Sequence, residues 1–285
     1  MTAPHLTIRR LIADDLATAP AWLSERSIRP DGWRDETTRT LIAVDDAGAS
    51  IGAGIMWTSR VHPGRYSVDV AVAPEQRRRG IGSQLVAALA ASQPEPRPFL
   101  WGAAEADPGH AFVARFGART IQRAPLDPVP TAHAARLRPD DRVTSAATAS
   151  QAVTEDAWAG MYEWTHVDWH PMGLDARGAL VEDLWDEIDP ELSSIAVAAG
   201  GEITAVLLVF VDGDVPIIAG ETVARDTADG ALIVEGCVRR CLDELARRGA
   251  TETLIEGHVS DPHLAPLFDT LGLGTRWHRI IEFCP

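Results

Sequence analysis

Hydrophobic and polar residues alternate along residues 67–73, where three valines share one face of the chain. This period of two residues is typical of a half-buried β-strand. Pro74 ends the alternation, and a polar turn over residues 75–82 follows it. From Ser83 the apolar residues recur at helical spacing. The pattern therefore predicts a strand, a turn and a helix in that order.

The turn contains both arginines and glycines. Its sequence is Arg77-Arg78-Arg79-Gly80-Ile81-Gly82. Glycine lets the backbone approach a ligand closely, and the first turn of a helix has N–H groups without intrahelical acceptors. The helix dipole and the guanidinium groups add further attraction for an anion. The turn therefore predicts a diphosphate-binding site.

The turn has two other interpretations. The dinucleotide fingerprint Gly-x-Gly-x-x-Gly is not present, and no acidic residue ends a following strand at the expected distance. A solvated basic turn is the second alternative. The agreement of strand, proline, arginines, glycines and helix favours the binding site.

The segment resembles the acyl-CoA loop of the GCN5-related N-acetyltransferases (GNAT), whose signature is Arg/Gln-x-x-Gly-x-Gly/Ala after a strand that ends Val-x-Pro. The resemblance implies that acetyl-CoA, as co-substrate, places its diphosphate on the backbone amides from Arg77 to Ser83. It also implies that the thioester lies near the backbone of Val70 and Val72.

A second segment, residues 107–117, resembles the part of that family that contacts the pantetheine arm. The resemblance implies a cofactor contact from Asp107, and His110, near this segment, is a second candidate for a cofactor contact. The family often has a tyrosine four residues before the glycine that ends this segment, where it protonates the departing thiolate. Here that residue is Val113, so another group or water must supply the proton.

Acetyl transfer to an amine needs a base that removes the ammonium proton and a donor that polarises the thioester carbonyl. Asp69, on the predicted strand, and Glu105, at the end of the next one, are the candidate bases, although a structural hydrogen-bond role is open for each. His62 and His110 are weaker candidates. No Ser-His-Asp order or cysteine nucleophile is evident, which favours direct transfer in a ternary complex.

The second half of the chain repeats the order of elements of the first at an offset of about 151 to 155 residues. A first strand is predicted over residues 5–11, and hairpin turns at Gly200-Gly201 and Asp212-Gly213. We therefore expect a mixed α/β (α+β) fold of two tandem GNAT-like domains, each a twisted, mostly antiparallel sheet flanked by helices. The expected boundaries are 1–135 for the domain with the acetyl-CoA motif and 136–285 for the second.

The corresponding loop of the second domain, residues 225–231, has carboxylates where a diphosphate would lie and keeps one glycine. Like charges oppose binding there, so this domain is expected to be degenerate for the cofactor, with Arg225 as its one compensating residue.

Charge is unevenly distributed: the formal net charge of −15 is concentrated in residues 141–285, which carry 26 acidic and 9 basic residues. This disfavours nucleic acid as a partner and would attract a cation. No apolar run is long enough to cross a membrane and no leader sequence opens the chain, so we expect a cytoplasmic protein without a membrane partner. The three cysteines lack zinc-site spacing, and no metal is expected.

Residues 164–171 combine tryptophans, histidines and Asp168. Domain-interface packing, an aromatic and acidic wall facing a cationic acceptor, and a metal site were considered, and Pro171 argues against the last. The expected function is an acetyl-CoA-dependent N-acetyltransferase acting on a small-molecule amine, with a homodimer among the assemblies it allows. The alternative is a non-catalytic acyl-CoA-binding or sensing protein.

Overall fold

The structure is a computed structural model that describes residues 6–26, 28–211 and 213–285. Two sequence expectations, a first strand from His5 and a turn from Asp212, begin at residues outside this description. In the described part of the chain no helix is both long and apolar enough to cross a bilayer.

Two compact units divide the chain. The first comprises Met1–Trp101, Ala111–Arg119 and Ile281–Pro285, and the second comprises Gly102–His110 and Thr120–Ile280. The expected division into 1–135 and 136–285 stays a prediction, and the units cross it because the last residues of the chain belong to the first unit.

The strands in the described chain form two sheets. In chain order they are β1 (Thr7–Arg10), β2 (Arg39–Val44), β3 (Ser50–Thr58), β4 (Tyr66–Val72), β5 (Phe99–Ala104), β6 (Arg119–Pro125), β7 (Val129–Pro130), β8 (Val143–Ser145), β9 (Ser194–Val197), β10 (Ile203–Phe210), β11 (Ile217–Thr222), β12 (Glu252–Glu256) and β13 (Trp277–Phe283). The strand order is β1-β2-β3-β4-β5-β13-β6 in one sheet and β7-β12-β11-β10-β9-β8 in the other.

The helices in the described chain are α1 (Ala13–Ala17), α2 (Ala21–Ser24), α3 (Ile81–Ala91), α4 (Gly109–Val113), α5 (Gln151–His166), α6 (Arg177–Val181), α7 (Leu184–Glu187), α8 (Gly230–Arg247) and α9 (Phe268–Leu271). The predicted mixed α/β fold with two mostly antiparallel sheets flanked by helices is confirmed. Helix α3 begins at Ile81, two residues earlier than the expected Ser83, because Gly80 already adopts the conformation of an N-cap.

Both sheets pair their strands in the same way. Strands β1 to β4 are antiparallel neighbours, and β4 then pairs with β5 in parallel. In the second sheet β8 to β11 are antiparallel neighbours, and β11 pairs with β12 in parallel. The pairing therefore repeats, as the sequence offset predicts.

The first sheet is covered by apolar side chains on both faces, since alternate residues of a strand point to opposite sides. On one face, Val68 and Phe99 pack with Leu85 of helix α3. On the other face, Ala71 packs with Leu23 of helix α2. Helix α3 is thus held along the strand that leads into the basic turn.

Asp127 anchors the connection that follows the first sheet. Its carboxylate accepts hydrogen bonds from the backbone N–H groups of Gly274, Thr275 and Arg276 and from two of their side chains, at 2.6–3.1 Å. Burial opposes the ionisation of Asp127, but the hydrogen bonds outweigh it and hold its pKa well below the ordinary value.

Candidate functional site

Strands β4 and β5 diverge soon after they begin. Their parallel pairing consists of Tyr66 with Phe99 and Ser67 with Leu100. The antiparallel pairing of β4 with β3 continues to Val72. One edge of β4 is therefore left open from Val68 onward, beside the helix that follows.

The register of β4 decides which backbone groups face that open edge. The N–H of Ala73 donates to the carbonyl of Ile51 at 3.0 Å, so Ala73 faces β3. Backbone groups of successive strand residues point to opposite sides. The N–H and C=O groups of Val70 and Val72 therefore point away from β3 and into the opening.

The turn after β4 bends sharply. A short 3-10 turn, Pro74–Gln76, is followed by two residues with positive φ, Arg78 at 64° and Gly80 at 84°. A non-glycine residue with φ > 0 is uncommon and strained. Such alternation of conformations turns successive N–H groups toward one side, a geometry that binds anions.

The start of helix α3 is open to a ligand. The N–H groups of residues 78–83 have no acceptor within the described chain. A Cβ atom on Gly80 would lie in open space, 4.0 Å from the nearest atom, the side chain of Gln84. A Cβ on Gly82 would come within 3.3 Å of the Phe112 ring. The backbone is thus exposed at Gly80 and packed at Gly82.

The three arginines of the turn are exposed. Arg77 donates from Nε to the carbonyl of Val72 at 3.1 Å, which orients it along the open edge of β4. Arg79 bonds the side-chain oxygen of Gln76. In the described chain no carboxylate pairs with these three arginines. Ile81 is buried in the core, so its contribution to a ligand would come from its backbone N–H, next to that of Ser83.

Asp69 lies on the face of β4 opposite to helix α3. Its carboxylate is 25% exposed and 4.0 Å from the guanidinium of Arg26. Asp69 comes directly after Val68, where the open edge begins, and its side chain lies on the same face of β4 as that of Ala71. The structure thus brings Asp69, the Val70 and Val72 backbone and the basic turn into one continuous segment of the first unit.

The other predicted residues lie in the second unit, directly after β5. Glu105 pairs with Arg123 at 3.5 Å and Arg279 at 3.6 Å. Asp107 accepts a 2.6 Å hydrogen bond from the N–H of Gly109 at the start of α4, and the His110 ring lies 2.9 Å from the carbonyl of Ala104. Each of these side chains therefore has a structural partner.

Val113 is buried in the core of the first unit, with 3% of its surface exposed. The place where the family resemblance would put a tyrosine hydroxyl therefore holds an apolar side chain. The protein has two tyrosines, Tyr66 and Tyr162. Tyr66 is also buried in the first unit's core.

The equivalent helix start in the second unit differs in charge. Asp229 is the N-cap of α8 and has a positive φ of 57°, as Gly80 has in the first unit. The ring of His263 lies where a Cβ on Gly230 would be, 2.6 Å away. Arg225, the expected compensating residue, is paired with Asp168 at 2.5 Å. The second loop is therefore acidic and partly covered by an imidazole ring.

The second unit contains a cavity of about 100 Å³ where β11 and β12 diverge. Parallel pairing of these strands ends at Ala219 with Glu256. The cavity is lined by residues at the ends of both strands and by α5, and its lining includes Thr165 and His166. Part of the segment 164–171 therefore does form a cavity wall. No group of three potential metal ligands comes together within the described residues.

Sequence reasoning did not identify Tyr162, Glu256, His258 and Asp261 as lining residues of this cavity. The repeat could have indicated their neighbourhood, because an offset of about 151 residues places Ala219 opposite Val68, where β4 leaves β5. The contribution of Asp261 comes from a loop that no strand or helix pattern predicts.

Residues 36–117 match the family model described as an acetyltransferase (GNAT) domain. This range contains the open strand edge, the basic turn and helix α3. The GNAT resemblance is thereby confirmed, and this part of the chain is a GNAT domain. No curated protein sequence matches the chain.

Solved structures of the same fold extend the comparison to nearly the whole chain. A GCN5-related N-acetyltransferase from Sphaerobacter thermophilus is similar over 97% of this chain and 94% of its own, with 16% identity and a TM-score of 0.65. A tandem GNAT protein from the clavulanic acid biosynthesis pathway covers 98% of both chains, with 15% identity and a TM-score of 0.56. N-myristoyltransferase of Saccharomyces cerevisiae with bound myristoyl-CoA covers 100% of this chain and 79% of its own, with 9% identity and a TM-score of 0.53. At these identities the likeness shows the fold alone.

Proposed function

We propose that the first unit is an acetyl-CoA-dependent N-acetyltransferase that acts on the amine of a small molecule. The observation that carries the proposal is the open edge of β4, which presents the Val70 and Val72 N–H groups beside the amides of residues 78–83, which have no acceptor within the described chain. One segment thus offers donors for a carbonyl and donors for a diphosphate.

The residues fit acetyl-CoA by charge and by space. The N–H groups at the start of α3 and three exposed arginines suit a diphosphate, and Gly80 leaves the approach open. Acetyl-CoA supplies an activated acetyl group as a thioester. The N–H groups of Val70 and Val72 would stabilise negative charge that develops on its carbonyl oxygen.

Asp69 is the base that we propose for the amine, because it is next to Val70 and, among the described residues, pairs with the guanidinium of Arg26 alone, at 4.0 Å. Glu105 is a weaker candidate, since two guanidinium groups already pair with it. Asp107 and His110 remain proposed cofactor contacts. In this scheme Asp69 takes the proton that the ammonium group loses, and water supplies the proton to the thiolate because Val113 has no hydroxyl.

Calorimetric titration with acetyl-CoA tests the binding part of this proposal. We expect one site per chain, lost in Gly80→Glu, which puts a carboxylate at the helix start. Gly48→Glu is a matched control, because Gly48 has a similar φ of 79° and open space around it in the β2–β3 turn. Asp229→Asn should also leave the site unchanged. Two sites, or equal loss in both glycine variants, would contradict the assignment.

Release of free CoA with a panel of small amines tests the chemistry. General-base catalysis contributes about 10²- to 10⁴-fold to a rate. We therefore expect Asp69→Asn to lower kcat by at least about 100-fold while acetyl-CoA binding persists, and Glu105→Gln to have a smaller effect. An Asp69→Asn variant with unchanged kcat would exclude it as the base.

The buried side chain of Val113 favours one alternative, a non-catalytic acyl-CoA-binding or sensing protein. Such a protein would bind acetyl-CoA at the same loop and release no CoA with any amine. Binding that Gly80→Glu abolishes, combined with no turnover across the panel, would establish the alternative.

A further inference from the structure

The cavity of the second unit has a chemical character of its own. Its walls include the aromatic rings of Trp158, Tyr162, His166 and Phe210, and carboxylates lie among them. Trp158 and Phe210 are 5.8 Å apart between ring centroids, and the rings of Tyr162 and His166 stack at 3.8 Å. Of the described residues that line it, none is an arginine. Such a lining attracts a cation through carboxylates and ring faces.

One carboxylate oxygen in this lining has no hydrogen-bond partner among the described residues. Asp261 is 4% exposed, and its Oδ2 accepts from the backbone N–H of His258 at 2.6 Å and lies 3.3 Å from that ring's Nδ1. Its Oδ1 is buried without a hydrogen bond. Buried acceptors in proteins are nearly always satisfied, because leaving one unpaired is costly. A ligand that donates a hydrogen bond to Asp261 Oδ1 would therefore be stabilised there.

The other two carboxylates of the lining, those of Glu221 and Glu256, differ in burial and in hydrogen bonding. Glu221 is almost completely buried and accepts hydrogen bonds from the N–H groups of Thr222, His263 and Leu264. Burial raises its pKa, and these bonds and the His263 ring oppose that rise. Glu256 is exposed at the end of β12. It acts with burial to raise the pKa of Tyr162, which keeps the phenol protonated. Glu256 thus adds negative charge without a fixed partner.

We infer that this cavity binds the primary ammonium group of a small amine, with Asp261 Oδ1 accepting its hydrogen bond and Glu256 and the aromatic rings stabilising its charge. The acidic loop at the start of α8 agrees with a cationic ligand, since Asp226 and Asp229 both lie there. We expect a primary rather than a quaternary ammonium to bind, because a quaternary ammonium has no N–H group to donate to Oδ1. The binding site is separate from the acetyl-CoA loop of the first unit and does not depend on the activity proposed for it.

The two tyrosines make this testable in the full-length protein. Labelling tyrosine with ¹³C in the ring gives signals from Tyr162, in the cavity lining, and Tyr66, buried in the first unit's core. Tyr162→Phe assigns them. We expect n-butylammonium to shift the Tyr162 signal saturably and to leave Tyr66 unchanged. The isosteric alcohol n-butanol and the tetramethylammonium ion should bind at least tenfold more weakly.

Variants then test the carboxylates. Asp261→Asn should weaken n-butylammonium binding at least tenfold, and Glu256→Gln about threefold. Glu163→Gln is the charge-matched control, because Glu163 lies on the same helix α5 with its side chain 69% exposed and outside the lining. Glu256→Gln is a second variant in case Asp261→Asn misfolds, since the Glu256 side chain makes no hydrogen bond within the described part of the chain.

The inference is overturned if n-butylammonium leaves the Tyr162 signal unshifted, if n-butanol or tetramethylammonium binds as well, or if Glu256→Gln and a folded Asp261→Asn both retain the original affinity. CoA release with other amines would be unaffected by such an outcome, so this test and that of the proposed activity fail separately.

Discussion

Replacing Phe283 by alanine should destabilise the first unit selectively, although Phe283 is the third-last residue of the sequence. Its side chain is 3% exposed, and its ring lies 5.6 Å from the ring centroids of both Phe99 and Phe116. Truncating a buried phenylalanine to alanine costs about 3–5 kcal/mol. That is a large part of the roughly 5–15 kcal/mol by which folded domains are stable.

Urea unfolding followed by the ring signals of ¹³C-labelled tyrosine separates the two units, because Tyr66 reports the first and Tyr162 the second. We expect the Tyr66 transition of Phe283→Ala to move to lower urea by the equivalent of about 3–5 kcal/mol. Cys284→Ala, the exposed neighbour, is the control and should shift neither transition. A Phe283→Ala change below about 1 kcal/mol would refute the assignment of the terminal residues to this core.

Three further predictions concern charge, backbone and binding. Asp127→Asn should lower the free energy of unfolding by about 1.5–3 kcal/mol at pH 7. The folded-state pKa of Asp127 is depressed, so its carboxylate stabilises the fold at pH values above the unfolded-state pKa, which is near 4. This stabilisation is lost as the pH falls below that value. The denaturation curves of the parent protein and Asp127→Asn should therefore converge in acid. Gly220→Ala should lower the free energy of unfolding by about 3 kcal/mol or more in the same assay. The φ of Gly220 is 147°, and a Cβ there would lie 2.0 Å from a backbone carbonyl of the neighbouring strand. Gly178→Ala is the control and should be neutral or stabilising, because the space around Gly178 is open. Arg77→Ala should weaken acetyl-CoA binding about tenfold by calorimetry with an unchanged melting temperature, and equal weakening by the exposed Arg115→Ala would mean that only net charge matters.

The sequence predicted the strand, turn and helix of the candidate site because each depends on local chemistry. Alternating valines specify β4, Pro74 ends it, and glycine at residue 80 permits the left-handed N-cap of α3. The repeat in the second half was visible for the same reason, since spacing of turns and apolar runs survives when individual residues change.

Long-range pairing was not predictable from those patterns. Strand β13 mixes polar and apolar residues in a pattern that does not specify its neighbours, and its place between β5 and β6 depends on contacts such as those of Phe283. The pairing of Glu282 with Arg65, 217 residues away, is of the same kind. The position of Asp261 Oδ1 in the cavity of the second unit likewise depends on a loop whose course only the folded chain defines.

The two helix starts explain why one fold can suit opposite charges. Gly80 and Asp229 occupy the same N-cap position with left-handed backbone, so the amides after both residues point outward in the same way. In the first unit the space beside Gly80 is open within the described chain, and three exposed arginines lie in the loop. In the second, the His263 ring lies against Gly230, and the Asp229 carboxylate, 3.8 Å from Arg142, adds negative charge beside the helix start. An anion is repelled by that carboxylate, whereas a cation is attracted by it and by the acidic cavity between β11 and β12. The diphosphate site proposed for the first unit and the ammonium site proposed for the second therefore differ in charge on a backbone geometry that both helix starts share.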